Sequence, residues 1–305
     1  MILEIFLLVL GFAMLVKGAD WFVDGTSGIA RKLGIPQLVV GLTIVAMGTS
    51  APEAAVSITA ALKNNAGIAI GNVVGSNILN ILIILGITAV LIPVAIQKST
   101  LWIEIPYMLA VTIVLTLMGL DGRVSRIEGV LLWGMFLIYL AYLFYLAKCG
   151  TDAKEAVEES AWKLVICAVV GGVTVVWGSD ITVDAATALA QLIGMSERLI
   201  GLTIVALGTS LPELVTSVTA ARKGNADIAI GNIVGSNIFN ILFVIGTAAL
   251  IIPVPFADNF IIDGIIAVAA GVLLWIAVFR KLELRRPWGI VMLLGYGAYV
   301  ISLLV

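Results

Sequence analysis

The sequence predicts an all-α integral membrane protein: ten transmembrane helices arranged as two inverted five-helix repeats, with broken helices at the centre. Three observations lead there. First, of the 305 residues, 61% are hydrophobic and only 12% are charged, against roughly 25% charged in a soluble domain. Second, the apolar runs are long and continuous. At about 20 residues per span they leave room for around ten helices, and they are too long for barrel strands, which alternate over about ten residues. Third, the chain repeats itself. Residues 41–53, GLTIVAMGTSAPE, return as GLTIVALGTSLPE at 201–213, and 68–81, IAIGNVVGSNILNI, return as IAIGNIVGSNIFNI at 228–241, both at an offset of 160 with no gap.

The runs fall near 2–17, 36–62, 68–92, 101–119 and 128–147, then 162–179, 196–221, 228–252, 260–279 and 288–304. The first and sixth are expected to continue to about residues 31 and 191, because GADWFVD and GSDITVD follow them at matched positions. The N-terminal stretch lacks the basic segment and small-residue cleavage site of a secretory signal and reads as the first span. Residues 1–147 form the first repeat, the charged stretch 148–161 a cytoplasmic linker, and 162–305 the second repeat. Gly18, Asp20 and Asp24 match Gly178, Asp180 and Asp184, Pro93 matches Pro253 and Gly129 matches Gly289, so the duplication spans most of each half.

Orientation follows from lysine and arginine. With ten spans, one side collects Arg31, Lys32, Lys98, Lys148, Lys154, Lys163, Arg222, Lys223, Arg280, Lys281, Arg285 and Arg286; the other collects Lys63, Arg123, Arg126 and Arg198. The richer side is cytoplasmic by the positive-inside rule, which places both termini outside. Five spans is an odd number, so the second copy enters the membrane from the opposite side, the arrangement of an inverted repeat. The expected location is a plasma (inner) membrane.

Composition also excludes functions. A net charge of −2 gives no footprint for nucleic acid. Two cysteines, one near a loop and one in an apolar run, suggest no disulfide framework. The absence of histidine removes the usual transition-metal ligand. No nucleophile–base set and no phosphate-binding motif with its lysine is present, so the chain reads as no enzyme and needs no resident cofactor.

The repeated motifs carry the chemistry. Each places one glutamate, Glu53 or Glu213, inside an apolar run, where ionisable residues are costly and usually functional. Pro52 and Pro212 lack an N–H and clash with the preceding turn, so the helix is expected to break at Gly48–Pro52 and at its counterpart. Carbonyls freed there must be buried or face a wet cavity. Ala46, Thr49, Ser50 and Glu53 recur at three- and four-residue spacing, as do Ala206, Thr209, Ser210 and Glu213. In the following run Asn72, Ser76 and Asn80 share a helix face, as do Asn232, Ser236 and Asn240. Asn72 and Asn232 read at least as well as hydrogen-bonding supports for the broken backbone. The Gly71/Gly75 and Gly231/Gly235 pairs allow close helix approach. The aspartates at 20, 24, 180 and 184 read as residues near a membrane face, and Trp102 and Trp288 as interfacial anchors. Two carboxylates with hydroxyls, amides and carbonyls suit hard cations: Ca²⁺ takes six to eight oxygens, and two carboxylates neutralise one Ca²⁺. The same cage would hold Na⁺, and ions competing for Glu53 and Glu213 would be exchanged.

These motifs, GTSAPE with GNVVGSNILN and GTSLPE with GNIVGSNIFN, resemble the paired repeats of the sodium/calcium exchanger family, within the calcium:cation antiporter superfamily. The resemblance covers both repeats and the ten-span layout. It implies an antiporter with Ca²⁺ and Na⁺ as transported ions and membrane lipid as surroundings, with spans one and six moving against the rest of the bundle. It also implies ion contact at Thr49, Ser50, Glu53, Ser76 and Asn80, at Thr209, Ser210, Glu213, Ser236 and Asn240, and at the carbonyls of Ala46 and Ala206. Some family members carry aspartate where this chain has Asn240, which leaves this site more symmetric and one possible charge poorer. Ca²⁺/H⁺ exchange on the same fold is an alternative, since a buried glutamate can carry a proton, although proton-coupled relatives usually show an acidic residue within the GN motif. A cation channel using the carboxylates as its selectivity element is a second alternative.

Overall fold

The computed structural model describes residues 2–149, 159–192 and 208–304. Eleven helices account for nearly all of them. The first, α1, runs Ile2–Leu33; α2 (Gln37–Thr49) and α3 (Ala51–Leu62) follow, bent by 51° against each other. Then come α4 (Gly67–Leu91), α5 (Thr100–Asp121) and α6 (Arg126–Cys149). After the linker, α7 runs Ala161–Leu192 and α8 Leu211–Arg222. The chain closes with α9 (Ala226–Ile251), α10 (Asp258–Phe279) and α11 (Arg286–Leu304). Seven of these helices are long and apolar enough to cross a membrane, eight if the bent α2–α3 pair is one span. The linker expected at 148–161 lies mostly outside the described residues, as does the first part of the span expected at 196–221.

Several local predictions have visible physical causes. The α1 and α7 helices continue past their apolar runs to Leu33 and Leu192. The break falls at Ser50 (φ −83°, ψ 7°) and at its counterpart Ser210 (φ −97°, ψ 6°), each followed by proline at the second position of the next helix. A proline there needs no N–H and its fixed φ suits the first turn, so it starts a helix where it would have interrupted one. The turn after α3 and the turn after α8 also match. Asn64 and Gly224 both take positive φ, 60° and 79°, a conformation glycine enters freely and asparagine tolerates.

Four two-residue strands clip the connections together. Val94–Ala95 (β1) pairs with Glu283–Leu284 (β4), and Arg123–Val124 (β2) pairs with Val254–Pro255 (β3), both antiparallel. Val94 faces Leu284, and Val254 faces Val124. Shifting the first pair by the repeat offset, forward for one member and back for the other, gives the second. Each clip joins one half of the sequence to the other.

The helices α4 and α9 form the centre: 78% and 94% of their most apolar windows are buried, against 22% in α1 and in α6. Their aliphatic residues, among them Ile70, Ile78, Ile84, Ile233, Ile238 and Leu242, build one core with side chains from both halves. Apolar residues such as Phe6, Val9, Leu137, Ile138, Val169 and Trp177 remain exposed on the outside. Exposure on this scale fits a lipid-facing surface.

The helices α1 and α7 lie against each other along a glycine-lined seam, with Leu15, Ala19 and Val175 packed between them. A Cβ added at Gly171 would stand 2.4 Å from the Phe22 nitrogen, one at Gly25 2.4 Å from the Ala168 nitrogen, and one at Gly18 2.8 Å from the Val175 nitrogen. Only hydrogen at these positions allows backbone to meet backbone, and the close approach multiplies van der Waals contact where lipid removes the hydrophobic drive.

Candidate cation site

The bent α2–α3 pair and the first turn of α8 bring Glu53 and Glu213 to the interior, 1% and 0% exposed. Each glutamate is held across the two halves. The Ser50 hydroxyl donates to Glu213 Oε1 at 2.8 Å, and the Ser210 hydroxyl to Glu53 Oε1 at 3.4 Å. Because each serine stands three residues before its own glutamate, these reciprocal bonds set the two carboxylates side by side. Among the described residues neither makes an ion pair. Buried carboxylates are ordinarily paired or coordinated to a metal.

The amides on α4 and α9 are arranged in two layers. The first supports the break. Asn72 Nδ2 donates to the Glu53 carbonyl (3.2 Å) and to Ser57 Oγ (2.9 Å); Asn232 Nδ2 donates to the Glu213 carbonyl (3.3 Å) and to Ser217 Oγ (2.9 Å). This is the supporting role read from the sequence for Asn72 and Asn232. The Thr49 hydroxyl donates to Asn232 Oδ1 at 3.0 Å and also lies 3.1 Å from the Val45 carbonyl.

The second layer aims Asn80 and Asn240. Asn80 Nδ2 donates to Asn237 Oδ1 (2.9 Å), and Asn240 Nδ2 donates to Asn77 Oδ1 (3.2 Å). Asn77 and Asn237 are themselves locked, each donating to the other's backbone carbonyl at 3.1 and 3.2 Å. With their nitrogens committed, Asn80 and Asn240 keep Oδ1 free. Sequence reasoning passed over Asn77 and Asn237; their only signal was an amide next to the predicted Ser76 and Ser236, and their partners lie about 160 residues away in the chain.

Four buried oxygens in this region therefore have no hydrogen-bond donor: Glu53 Oε2, Glu213 Oε2, Asn80 Oδ1 and Asn240 Oδ1. The π-helical turn Asn80–Leu85 packs on α8, which carries Glu213, and Asn240–Ile245 packs on α3, which carries Glu53. Two anionic and two neutral acceptors with no donor among them are electrostatically suited to a cation. The remaining expected residues sit nearby. Ser236 is fully buried and its hydroxyl lies 3.4 Å from the Ala46 carbonyl; Ser76 is buried, Thr209 half-buried. Ala206 lies outside the described residues.

The close approach expected of both glycine pairs is present at Gly231 and Gly235 but not at Gly71 and Gly75, where a Cβ would meet only the Phe260 ring at 3.5 Å or nothing within 4 Å. A Cβ at Gly235 would meet Leu42 Cα and the Ala46 Cβ at 2.8 Å, and one at Gly231 would meet the Leu38 carbonyl at 3.0 Å. Glycine thus lets α9 press its polar face against α2 beside Ala46. Of the outer aspartates, Asp20 and Asp24 pair with Lys223 at 3.3 and 2.8 Å, away from the site.

Comparison with known proteins identifies the family. The family model for sodium/calcium exchanger protein matches residues 3–145 and again residues 163–305. The chain belongs to the sodium/calcium exchanger family. A putative antiporter, CaxA, of Alkalimonas amylolytica is 40% identical over 98% of both chains. The sodium/calcium exchanger MaX1 of Methanosarcina acetivorans is 33% identical over 97% of both. A solved structure of the sodium-calcium exchanger NCX_Mj, soaked with zero Na⁺ and Ca²⁺, matches with a TM-score of 0.87 at 33% identity and 99% coverage of each chain. This sodium/calcium exchanger family member is a multi-pass membrane protein of the exchanger fold. Its family moves cations across membranes, with Ca²⁺ and Na⁺ as the transported ions, and its members are transporters rather than enzymes.

Proposed function

We propose that this chain is a secondary active antiporter that exchanges Ca²⁺ for Na⁺ across the plasma membrane by alternating access. The carrying observation is the set of four donor-less buried oxygens on Glu53, Glu213, Asn80 and Asn240. Two carboxylates match the charge of one Ca²⁺, and the hydroxyls of Ser50, Ser210, Ser76, Ser236, Thr49 and Thr209, with the carbonyls of Ala46 and Ala206, complete an oxygen shell. Na⁺ fits the same ligands, and the two ions would then occupy the carboxylates in turn.

The same proposal takes the chain as ten spans in two inverted five-span repeats, 1–147 and 162–305, with both termini outside. The strand clips support it. Ten alternating spans put the connections bearing β1 and β4 on one side and those bearing β2 and β3 on the other, which is how they pair. The arginine and lysine count makes the β1/β4 side cytoplasmic. The glycine seam supports a moving unit: α1 and α7 are fastened chiefly to each other, and Phe22 faces Gly48 at the break, where a Cβ would stand 3.2 Å from the ring. A rigid pair sliding past the broken helices would open the site to alternate sides.

The test is ⁴⁵Ca²⁺ uptake into proteoliposomes loaded with Na⁺, K⁺ or choline, with and without a pH gradient, for the wild type, Glu53→Gln and Glu213→Gln. Uptake that needs internal Na⁺ and is lost in both variants is expected. Uptake driven by the pH gradient alone would make the protein a Ca²⁺/H⁺ antiporter, uptake unaffected by the variants would remove the glutamates from the site, and unitary currents would make it a channel.

A further inference from the structure

The eight buried, unpartnered side-chain oxygens among the described residues fall in two places. Four belong to the cation site, on Glu53, Glu213, Asn80 and Asn240, and Thr216 Oγ1 lies one turn beyond Glu213 on α8. The other three, Thr100 Oγ1, Glu104 Oε2 and Tyr139 OH, lie between α5 and α6, on residues 0%, 1% and 3% exposed. Nothing in the exchange chemistry uses them.

Local backbone marks the same place. Four π-helical turns are described. Gly41–Val45 leads into Ala46, and two others begin at Asn80 and Asn240; the fourth is Thr100–Glu104. A π turn interrupts the regular ladder of carbonyls and is found disproportionately where a helix does something besides span. Here it carries Thr100 and Glu104, four residues apart and so on one face.

The α6 side is equally ordered. The Tyr142 hydroxyl donates to Glu104 Oε1, which fixes the carboxylate and leaves Oε2 for another partner. Tyr139, three residues earlier on the same face, stacks on Tyr107 with ring centres 5.6 Å apart and planes 9° apart. Tyr107 is anchored by donating to the Met135 carbonyl at 2.9 Å. No described lysine or arginine pairs with Glu104. The second half of the chain does not copy this cluster. Tyr299, the counterpart of Tyr139, spends its hydroxyl on Asp263 at 3.0 Å, both are only half-buried, and α10 is regular helix there.

We propose that Glu104 Oε2, Thr100 Oγ1 and Tyr139 OH form a second site, separate from the exchange site, that holds one small monovalent cation. One carboxylate balances one positive charge in a low-dielectric interior, whereas a divalent ion would leave an uncompensated charge there. The site also has a route to the exchange chemistry. Met108, one turn beyond Glu104, receives Asn237 Nδ2 at 3.6 Å on its sulfur, and Asn237 is the residue that aims Asn80.

The test uses the full chain carrying Glu53→Gln and Glu213→Gln, which removes both exchange-site charges, and measures equilibrium binding of ²²Na⁺ to the purified protein. Saturable ²²Na⁺ binding that K⁺ or Li⁺ displaces and excess Ca²⁺ does not is expected. Adding Glu104→Gln abolishes it, and adding Tyr139→Phe, which keeps the ring stack, weakens it about tenfold or more, the loss that removing even an outer-shell partner brings. Absence of saturable binding, or binding that survives Glu104→Gln in a monodisperse protein, overturns the proposal and leaves Glu104 a neutral acid hydrogen-bonded by tyrosine. The readout is dependence on Glu104, so it stands apart from whether Glu53 and Glu213 bind the exchanged ions.

Discussion

Asn237 offers no free oxygen of its own to the cation, its Oδ1 accepting from Asn80 Nδ2, yet the geometry makes it a control point for Ca²⁺ affinity. Replacing it with alanine removes the acceptor 2.9 Å from Asn80 Nδ2 and the donor 3.2 Å from the Asn77 carbonyl. The buried Asn80 amide nitrogen is then unsatisfied, at about 1–3 kcal/mol, while the Asn77 carbonyl still accepts from the Asn80 backbone N–H, so folding stability should fall by about that amount. The effect on binding is separate. Without Asn237 nothing commits the Asn80 amide nitrogen, so Asn80 no longer presents a fixed carbonyl oxygen. Residues that orient a metal ligand typically change affinity about 10–100-fold. Initial rates of Na⁺-dependent ⁴⁵Ca²⁺ uptake should therefore show a Ca²⁺ KM raised about tenfold or more by that comparison. A double-mutant cycle decides the cause. If Asn237 works by aiming Asn80, then Asn237→Ala adds little to KM once Asn80→Ala is present. Fully additive losses, or an unchanged KM in Asn237→Ala alone, would refute the reasoning.

Two further outcomes are expected. Gly235→Leu forces a side chain into space where a Cβ already stands 2.8 Å from Leu42 and Ala46; overpacking of this kind costs about 1–3 kcal/mol, so thermal unfolding in detergent should shift downward, while Gly67→Ala, with nothing within 4 Å of its Cβ, should leave it unmoved. In a chain without Cys149 and Cys167, a cysteine at Lys98 should react with an impermeant maleimide only from the cytoplasmic side and one at Arg123 only from outside; the same side for both would break the ten-span topology.

Much of this architecture was legible because a duplicated sequence reports on itself. The break at Ser50 followed from Pro52, and the burial of Glu53 and Glu213 from their place in matched apolar runs. The supporting role of Asn72 and Asn232 followed from a backbone in need of donors. What the sequence concealed was direction. Asn77 and Asn80 are both amides in one short stretch, and periodicity alone cannot say which turns its oxygen inward; that depends on Asn237 and Asn240, brought opposite only by folding. Glu104 was hidden for another reason. It has no acidic partner at the repeat offset, where Gly264 stands, so a search by internal symmetry passes over it.

The polar contacts at the centre also explain why the two halves need each other. Ser50 with Glu213, Ser210 with Glu53, Thr49 with Asn232, Asn80 with Asn237 and Asn240 with Asn77 all cross between halves. Within one half, the bonds from Asn72 and Asn232 to the adjacent broken helix close locally. A half alone would bury a glutamate without its serine and an asparagine without its acceptor, each a large penalty in a membrane interior. Lipid offers little apolar drive to bring helices together, so these reciprocal bonds, with the glycine contacts of α9 and the two strand clips, supply both the attraction and the register of docking. The same symmetry that assembles the halves leaves one carboxylate and one amide oxygen from each without a donor, which is why the place left for a cation lies on the interface and belongs to neither half.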